Sequence, residues 1–124
     1  MKILLVEDEC DLLEIFSEFL QQLGHEVSEA ENGKVALEKL KLHHPYDLII
    51  VDNKMPIMTG EELVLNLRSK IDYRPAIVMW SASGELPHDV AKHIDHFFHK
   101  PLDIYVFEKT IEEIESKILK PAAS

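Results

Sequence analysis

Leu48-Ile49-Ile50-Val51-Asp52 decides the fold. Four apolar residues, three of them β-branched, are closed by a carboxylate. A run without polar alternation suits a strand buried on both faces of a parallel sheet. Three other runs end in the same way. Lys2-Ile3-Leu4-Leu5-Val6 leads into Glu7-Asp8, Ala76-Ile77-Val78-Met79-Trp80 leads into Ser81, and Phe97-Phe98 stops just before Lys100-Pro101. In an open parallel sheet, ligands bind outside the carboxyl ends of the strands. Placing these runs in one sheet brings three carboxylates, a hydroxyl and an ammonium to one edge. That set suits a divalent cation and the movement of a phosphoryl group onto an aspartate.

Helical patterns separate the runs. Leu12, Leu13, Phe16, Phe19, Leu20 and Leu23 recur at helical spacing, and Gly24 is a stop signal. Val27 to Ala30 predicts a short strand and Asn32-Gly33 a turn, after which Ala36, Leu37 and Leu40 mark a second helix face. Pro45 ends that helix. A loop with Pro56 and Gly60 precedes a third face at Leu63, Val64, Leu67 and Ile71. A weak fourth helix is predicted over Asp89 to Ile94. In the last helix Asp103 is positioned to cap, and Ile104, Phe107, Ile111, Ile114 and Ile118 recur every three or four residues. Strand then helix, repeated five times, predicts a parallel sheet with helices on both faces.

The 124 residues suffice for one domain with a core. No apolar stretch approaches the roughly 18 to 20 residues that span a bilayer, and Met1-Lys2 leads straight into a strand, so no signal peptide and no membrane are expected. Cys10 is the only cysteine, which excludes an internal disulfide and suits the cytoplasm. The formal net charge of −10 argues against direct contact with a nucleic-acid backbone.

The chain resembles the receiver domain of two-component response regulators. Val6-Glu7-Asp8-Glu9, Asn32-Gly33 with Ala36-Leu37, Asp52 with Met55-Pro56 and Gly60, Ser81-Ala82 and Lys100-Pro101 carry the likeness in order, over nearly the whole length. The resemblance implies a flavodoxin-like (βα)5 doubly wound sheet, five parallel strands in the order 2-1-3-4-5, with residues 1–120 as the receiver and 121–124 as a frayed tail. It implies that Asp52 accepts a phosphoryl group from a histidine kinase or histidine phosphotransfer protein, and that the modified surface signals to a downstream effector protein or domain. The domain would contribute catalysis to its own phosphorylation and dephosphorylation while acting mainly as a switch.

The chemistry follows from the residues. A carboxylate is a poor nucleophile toward an anionic phosphoryl donor, and a hard cation bridging their oxygens removes the repulsion. Mg²⁺ takes oxygen ligands, here from Glu7, Asp8 and Asp52; the resemblance adds the backbone carbonyl of Lys54. Lys100 neutralises charge that Mg²⁺ does not reach, and the Ser81 hydroxyl can donate to a phosphoryl oxygen.

Several positions depart from the family pattern. Ser81 replaces the commoner Thr. Phe97 stands at the aromatic switch position without a phenolic OH, so it acts by ring packing or is an ordinary buried aromatic. The segment from Ser81 to Lys100 is shorter than usual by about three residues, on the order of one helical turn. His93-Ile94 replaces the usual Gly-Ala. This shortening affects the fourth-helix, fifth-strand and fifth-helix output surface, and a monomer is expected. Lys54 either leans over the phosphoryl group and obstructs the water that would remove it, or is a solvated loop lysine.

Rival readings have sequence signatures too. A non-cycling interaction module on the same fold is opposed by the intact set Asp8, Asp52, Ser81 and Lys100. An aspartyl phosphatase wants a second acid where Lys54 stands. A flavin phosphate would be repelled by the acidic loop after the first strand. His93, His96 and His99 are spaced for metal ligation on a helix, but a strand near 96–99 points them apart.

Overall fold

The computed structural model describes residues 1–42, 45–55, 57–71, 73–82 and 86–119. Pro56 of the Met55-Pro56 pair and the tail expected at 121–124 lie outside these residues. Among the described residues five strands alternate with five helices: β1 Lys2–Val6, α1 Cys10–Gln22, β2 Glu26–Ala30, α2 Gly33–Leu42, β3 Leu48–Asp52, α3 Gly60–Lys70, β4 Ala76–Ser81, α4 His88–Ala91, β5 His96–His99 and α5 Ile104–Leu119. All strand pairs are parallel, in the order β2-β1-β3-β4-β5. This is the doubly wound sheet expected from the sequence.

Burial follows strand position. Every residue of β3 is buried, as its unbroken apolar run requires, while the edge strands β2 and β5 keep exposed residues. Residues alternate between two cores. Leu4, Val6, Ile49, Val51, Ile77 and Met79 face α2, α3 and α4. Ile3, Leu5, Ile50, Val78 and Trp80 face α1 and α5, where Phe107 and Ile111 are fully buried.

Helix ends explain where the chain departs from expectation. After α1, Gly24 adopts φ 96°, its N–H donates to the Gln21 carbonyl and the His25 N–H to the Leu20 carbonyl. This glycine-dependent C-terminal motif brings the chain back to the sheet. Asn32-Gly33 is the start of α2 rather than a separate turn: Asn32 Oδ1 accepts the Val35 N–H at 2.9 Å. Gly60 likewise belongs to a helix, not to the preceding loop. Thr59 caps α3, its Oγ1 accepting the Glu62 N–H, and the Thr59 N–H donates in turn to Glu62 Oε1, which completes a capping box.

Asp103 caps α5 as expected, accepting the N–H groups of Tyr105 and Val106 at 2.9 and 3.3 Å. Ile104 and Ile118, expected on the buried face, are instead exposed because the apolar stripe outruns the sheet it covers. The fourth helix is shorter and earlier than the predicted Asp89 to Ile94. Pro87 fixes its start, and by Asp95 the chain already donates to the Ile77 carbonyl at the entry to β5. Of the three apolar residues in the predicted span, Val90 is buried and Ile94 packs against the core, whereas Ala91 faces outward.

Candidate functional site

The carboxyl ends of β1, β3 and β4 form the site. Glu7 follows β1 directly, and its N–H donates to the Ala30 carbonyl at 3.0 Å, which continues the pairing with β2. Glu7 is fully buried, Asp8 is half-buried, and Asp52 is buried as the last residue of β3. One carboxylate oxygen from each lies within 4.8 Å of the others; they are the one such acidic, His or Cys group among the described residues. Lys100 reaches over them from the end of β5, with Nζ 3.2 Å from Asp52 Oδ2 and 3.8 Å from Glu7 Oε1. The Lys100-Pro101 peptide is cis.

Charge in this pocket is not balanced by one lysine. Burial, a hydrogen bond with Asp52 and the charge of Asp52 push the Glu7 carboxyl up to about 8, against the pull of the Glu9 amide and Lys100. Burial also opposes the Lys100 charge, but Asp52, the hydrogen bond to it, and Glu7 outweigh that and hold the ammonium above its ordinary value. Glu7 Oε1 is buried without a hydrogen-bond partner. Clustered oxygen donors, one of them orphaned, fit a hard divalent cation that binds carboxylates.

Lys54 enters through its backbone: its N–H donates to Asp52 Oδ1 at 3.1 Å, while the residue is exposed. Ser81 is buried at the end of β4, paired in register with His99, and its carbonyl accepts the Lys100 N–H at 2.9 Å. Phe97 pairs in register with Met79 and is half-buried against the α2–α3 core, its ring edge-on to His99 at 5.0 Å. His96 stacks near Phe98, so the β5 histidines are engaged with neighbouring rings. Trp80 lies on the sheet face opposite that of Ser81 and lines, with Glu7, Phe16 and Lys100, a cavity of about 230 Å³.

The model of the response regulator receiver domain matches residues 3–112. The chain belongs to this family. The receiver domain is 36% identical over 109 residues to the two-component response regulator ORR41 of rice, covering 82% of this chain and 84% of that one. It is 30% identical over 119 residues to the chemotaxis protein CheY homolog of Campylobacter jejuni, covering 92% of each. Among solved structures it resembles the response regulator TrrA of Thermotoga maritima in complex with Mg²⁺-BeF: TM-score 0.80, 31% identity, 92% of this chain and 99% of that one.

Three residues at the site escaped the sequence reading. Asn53, Thr59 and Glu61 join the turn after Asp52 to α3. Thr59-x-x-Glu62 is a capping-box signature that was legible. An Asn directly after an apolar strand has no equivalent signature, since turn residues are common there.

Proposed function

We propose that the receiver domain, residues 1–120, accepts a phosphoryl group on Asp52 in a Mg²⁺-dependent reaction. The donor is a histidine kinase or histidine phosphotransfer protein, and the product switches a surface read by a downstream effector protein or domain. The reading rests above all on the convergence of Glu7, Asp8 and Asp52 beside Lys100. It is supported by the similarity to TrrA, whose structure holds Mg²⁺-BeF. We infer a cytoplasmic location from such a donor; no helix of the described residues is long and apolar enough to cross a membrane.

In this mechanism Glu7, Asp8, Asp52 and the Lys54 carbonyl hold the ion. Mg²⁺, when bound, screens the repulsion between the Asp52 carboxylate and the phosphoryl oxygens. An Asp52 oxygen attacks phosphorus as the bond to the donor's imidazole nitrogen breaks, and the imidazole leaves with that electron pair. Lys100 stabilises charge on the phosphoryl oxygens, and the Ser81 hydroxyl donates to one of them. Phe97 follows by repacking its ring. Lys54 shields the product from in-line water, which gives the label a long lifetime.

Intact-protein mass is expected to rise by one phosphoryl group after incubation with acetyl phosphate and Mg²⁺. Equal labelling of an Asp52→Asn protein overturns the assignment. Lys54→Ala should speed loss of label more than Lys54→Arg does. The second reading, a non-cycling interaction module, draws on the four-residue α4 in the usual output region. Folded protein that binds Mg²⁺ yet takes no label would establish it. The short α4 also supports a monomer before and after phosphorylation; a dimer in light scattering with beryllofluoride contradicts that.

A further inference from the structure

One residue beside the phosphoacceptor satisfies two of the three leading amides of α3. Thr59 is the N-cap, so Gly60, Glu61 and Glu62 open the helix. The Gly60 N–H donates to the Asn53 carbonyl at 3.0 Å, and the Glu61 N–H donates to Asn53 Oδ1 at 3.2 Å. Asn53 Nδ2 returns a bond to Glu61 Oε2 at 3.0 Å, and the Asn53 N–H donates to the Trp80 carbonyl at 2.9 Å. Asn53 is only 6% exposed. Its polar groups therefore tie β4, the turn at 52–54 and α3 together, and free helix amides rarely go without such partners when buried.

The far side of this tie is rigid. Leu63, Val64 and Leu67 anchor α3 with no exposed surface. A Cβ on Gly60 would lie 2.7 Å from the Asp52 carbonyl oxygen, so α3 begins in direct contact with the phosphoacceptor strand. On the near side, the Lys54 N–H holds Asp52 Oδ1.

We propose that Asn53 is a positioning residue for the cation site. Through its paired bonds with Glu61 it holds the turn that carries the Asp52 carboxylate and the Lys54 carbonyl. The inference rests on the phosphoacceptor reading above. Mg²⁺ demands near-octahedral oxygen geometry and tolerates misplaced ligands poorly. Residues that orient metal ligands without touching the ion typically control affinity 10- to 100-fold. A leucine at position 53 has similar bulk and leaves the main-chain bonds available. It removes both side-chain bonds and strands the Glu61 N–H. By linkage, an ion bound at the turn must act back on the first turn of α3.

The test is an NMR titration of the intact chain with Mg²⁺, reading the dissociation constant and the exchange rate of the Glu61 amide. In the wild type, Mg²⁺ should slow that exchange. Asn53→Leu should weaken Mg²⁺ by about tenfold or more and abolish the slowing. Asn53→Asp combined with Glu61→Gln reverses donor and acceptor at constant total charge, and it should restore most of the affinity. If Asn53→Leu does not fold, Glu61→Ala should lose affinity while Glu61→Gln, which keeps the acceptor, does not. A wild type that binds Mg²⁺ and takes label, with a folded Asn53→Leu or Glu61→Ala protein binding equally well, overturns the clamp alone. A wild type that binds no Mg²⁺ overturns the clamp together with the phosphoacceptor reading.

Discussion

Helices α3 and α4 flank the same strand, β4, and the chain treats them oppositely. The eleven residues of α3 begin with a capping box and end in the buried face Leu63, Val64 and Leu67. The four residues of α4 begin at Pro87 with no side-chain cap and bury only Val90. One described side-chain bond ties α3 to the turn that follows α4, from Arg68 Nη2 to the His93 carbonyl at 3.1 Å. The difference separates geometry from response. The element that abuts Asp52 is over-determined, which suits the proposed phosphoryl transfer, a chemistry that is mostly positioning. The element farther along has few contacts to lose, which is the low-stability end from which moving parts are drawn.

The sharpest way to break this contrast is at Gly60. An added methyl would sit 2.7 Å from the Asp52 carbonyl oxygen and 2.9 Å from Asn53 Cα, both main-chain atoms that cannot swing aside. Gly60→Ala is expected to cost about 3 kcal/mol, measured by urea melts, and to misplace Asp52 as well. A cost near zero would mean that α3 does not brace the strand end.

The second test concerns the acid pocket. Glu7 is held up to about 8 in the folded protein, above its ordinary value of 4.5, so between these values the folded state binds the extra proton. Stability from this group is full below about pH 4.5 and is lost as pH rises through about 8. The cation-free protein should therefore melt at progressively lower temperature over that interval. Glu7→Gln should flatten the slope, and Mg²⁺ should add most at the alkaline end. A slope that survives Glu7→Gln places the titration elsewhere.

Thr59→Ala is expected to cost about 1 kcal/mol through loss of one cap bond. It tests whether the capping box matters when Asn53 already holds the neighbouring amides. No measurable change would mean that Asn53 alone fixes the helix start.

The same contrast explains what was legible in the sequence. Strands β1, β3 and β4 announce themselves because burial on both faces leaves unbroken apolar runs, and the polar residues where those runs stop, Glu7-Asp8, Asp52 and Ser81, point to the site directly. The flanking faces at Ala36, Leu37 and Leu40 and at Leu63, Val64 and Leu67 follow from period alone. Asn53 was not legible. Its role depends on α3 starting seven residues later at the same strand end, and no local pattern encodes that approach. Ile104 and Ile118 misled for a related reason: helical period identifies a stripe, but only the extent of the sheet decides how much of it is covered. The outward position of Ala91 depends on where α4 stops, which the turn into β5 dictates.

The smallest expected effect compares the two helices by one substitution. Glycine in place of alanine in an exposed helix interior costs about 1 kcal/mol, because the backbone freedom it gains when unfolded must be given up. At position 65, exposed and in the middle of α3, Leu65→Gly should be less stable than Leu65→Ala by about that amount. Ala91 is the last residue of α4, beside the Lys92 C-cap, and its N–H donates to the Pro87 carbonyl at 2.9 Å. A terminal position has little helical backbone to stabilise, so Ala91→Gly should cost no more than a few tenths of a kcal/mol. The phosphoryl label should nonetheless be sensitive at one site and not the other. Glycine at 65 loosens the helix that braces Asp52, whereas glycine at 91 loosens one that supplies none of the acid pocket's side chains. Urea melts paired with acetyl phosphate labelling rates give both readings. Equal penalties at 65 and 91 would show that α4 is held as firmly as α3, and the division between a braced and a responsive helix would then have to be abandoned.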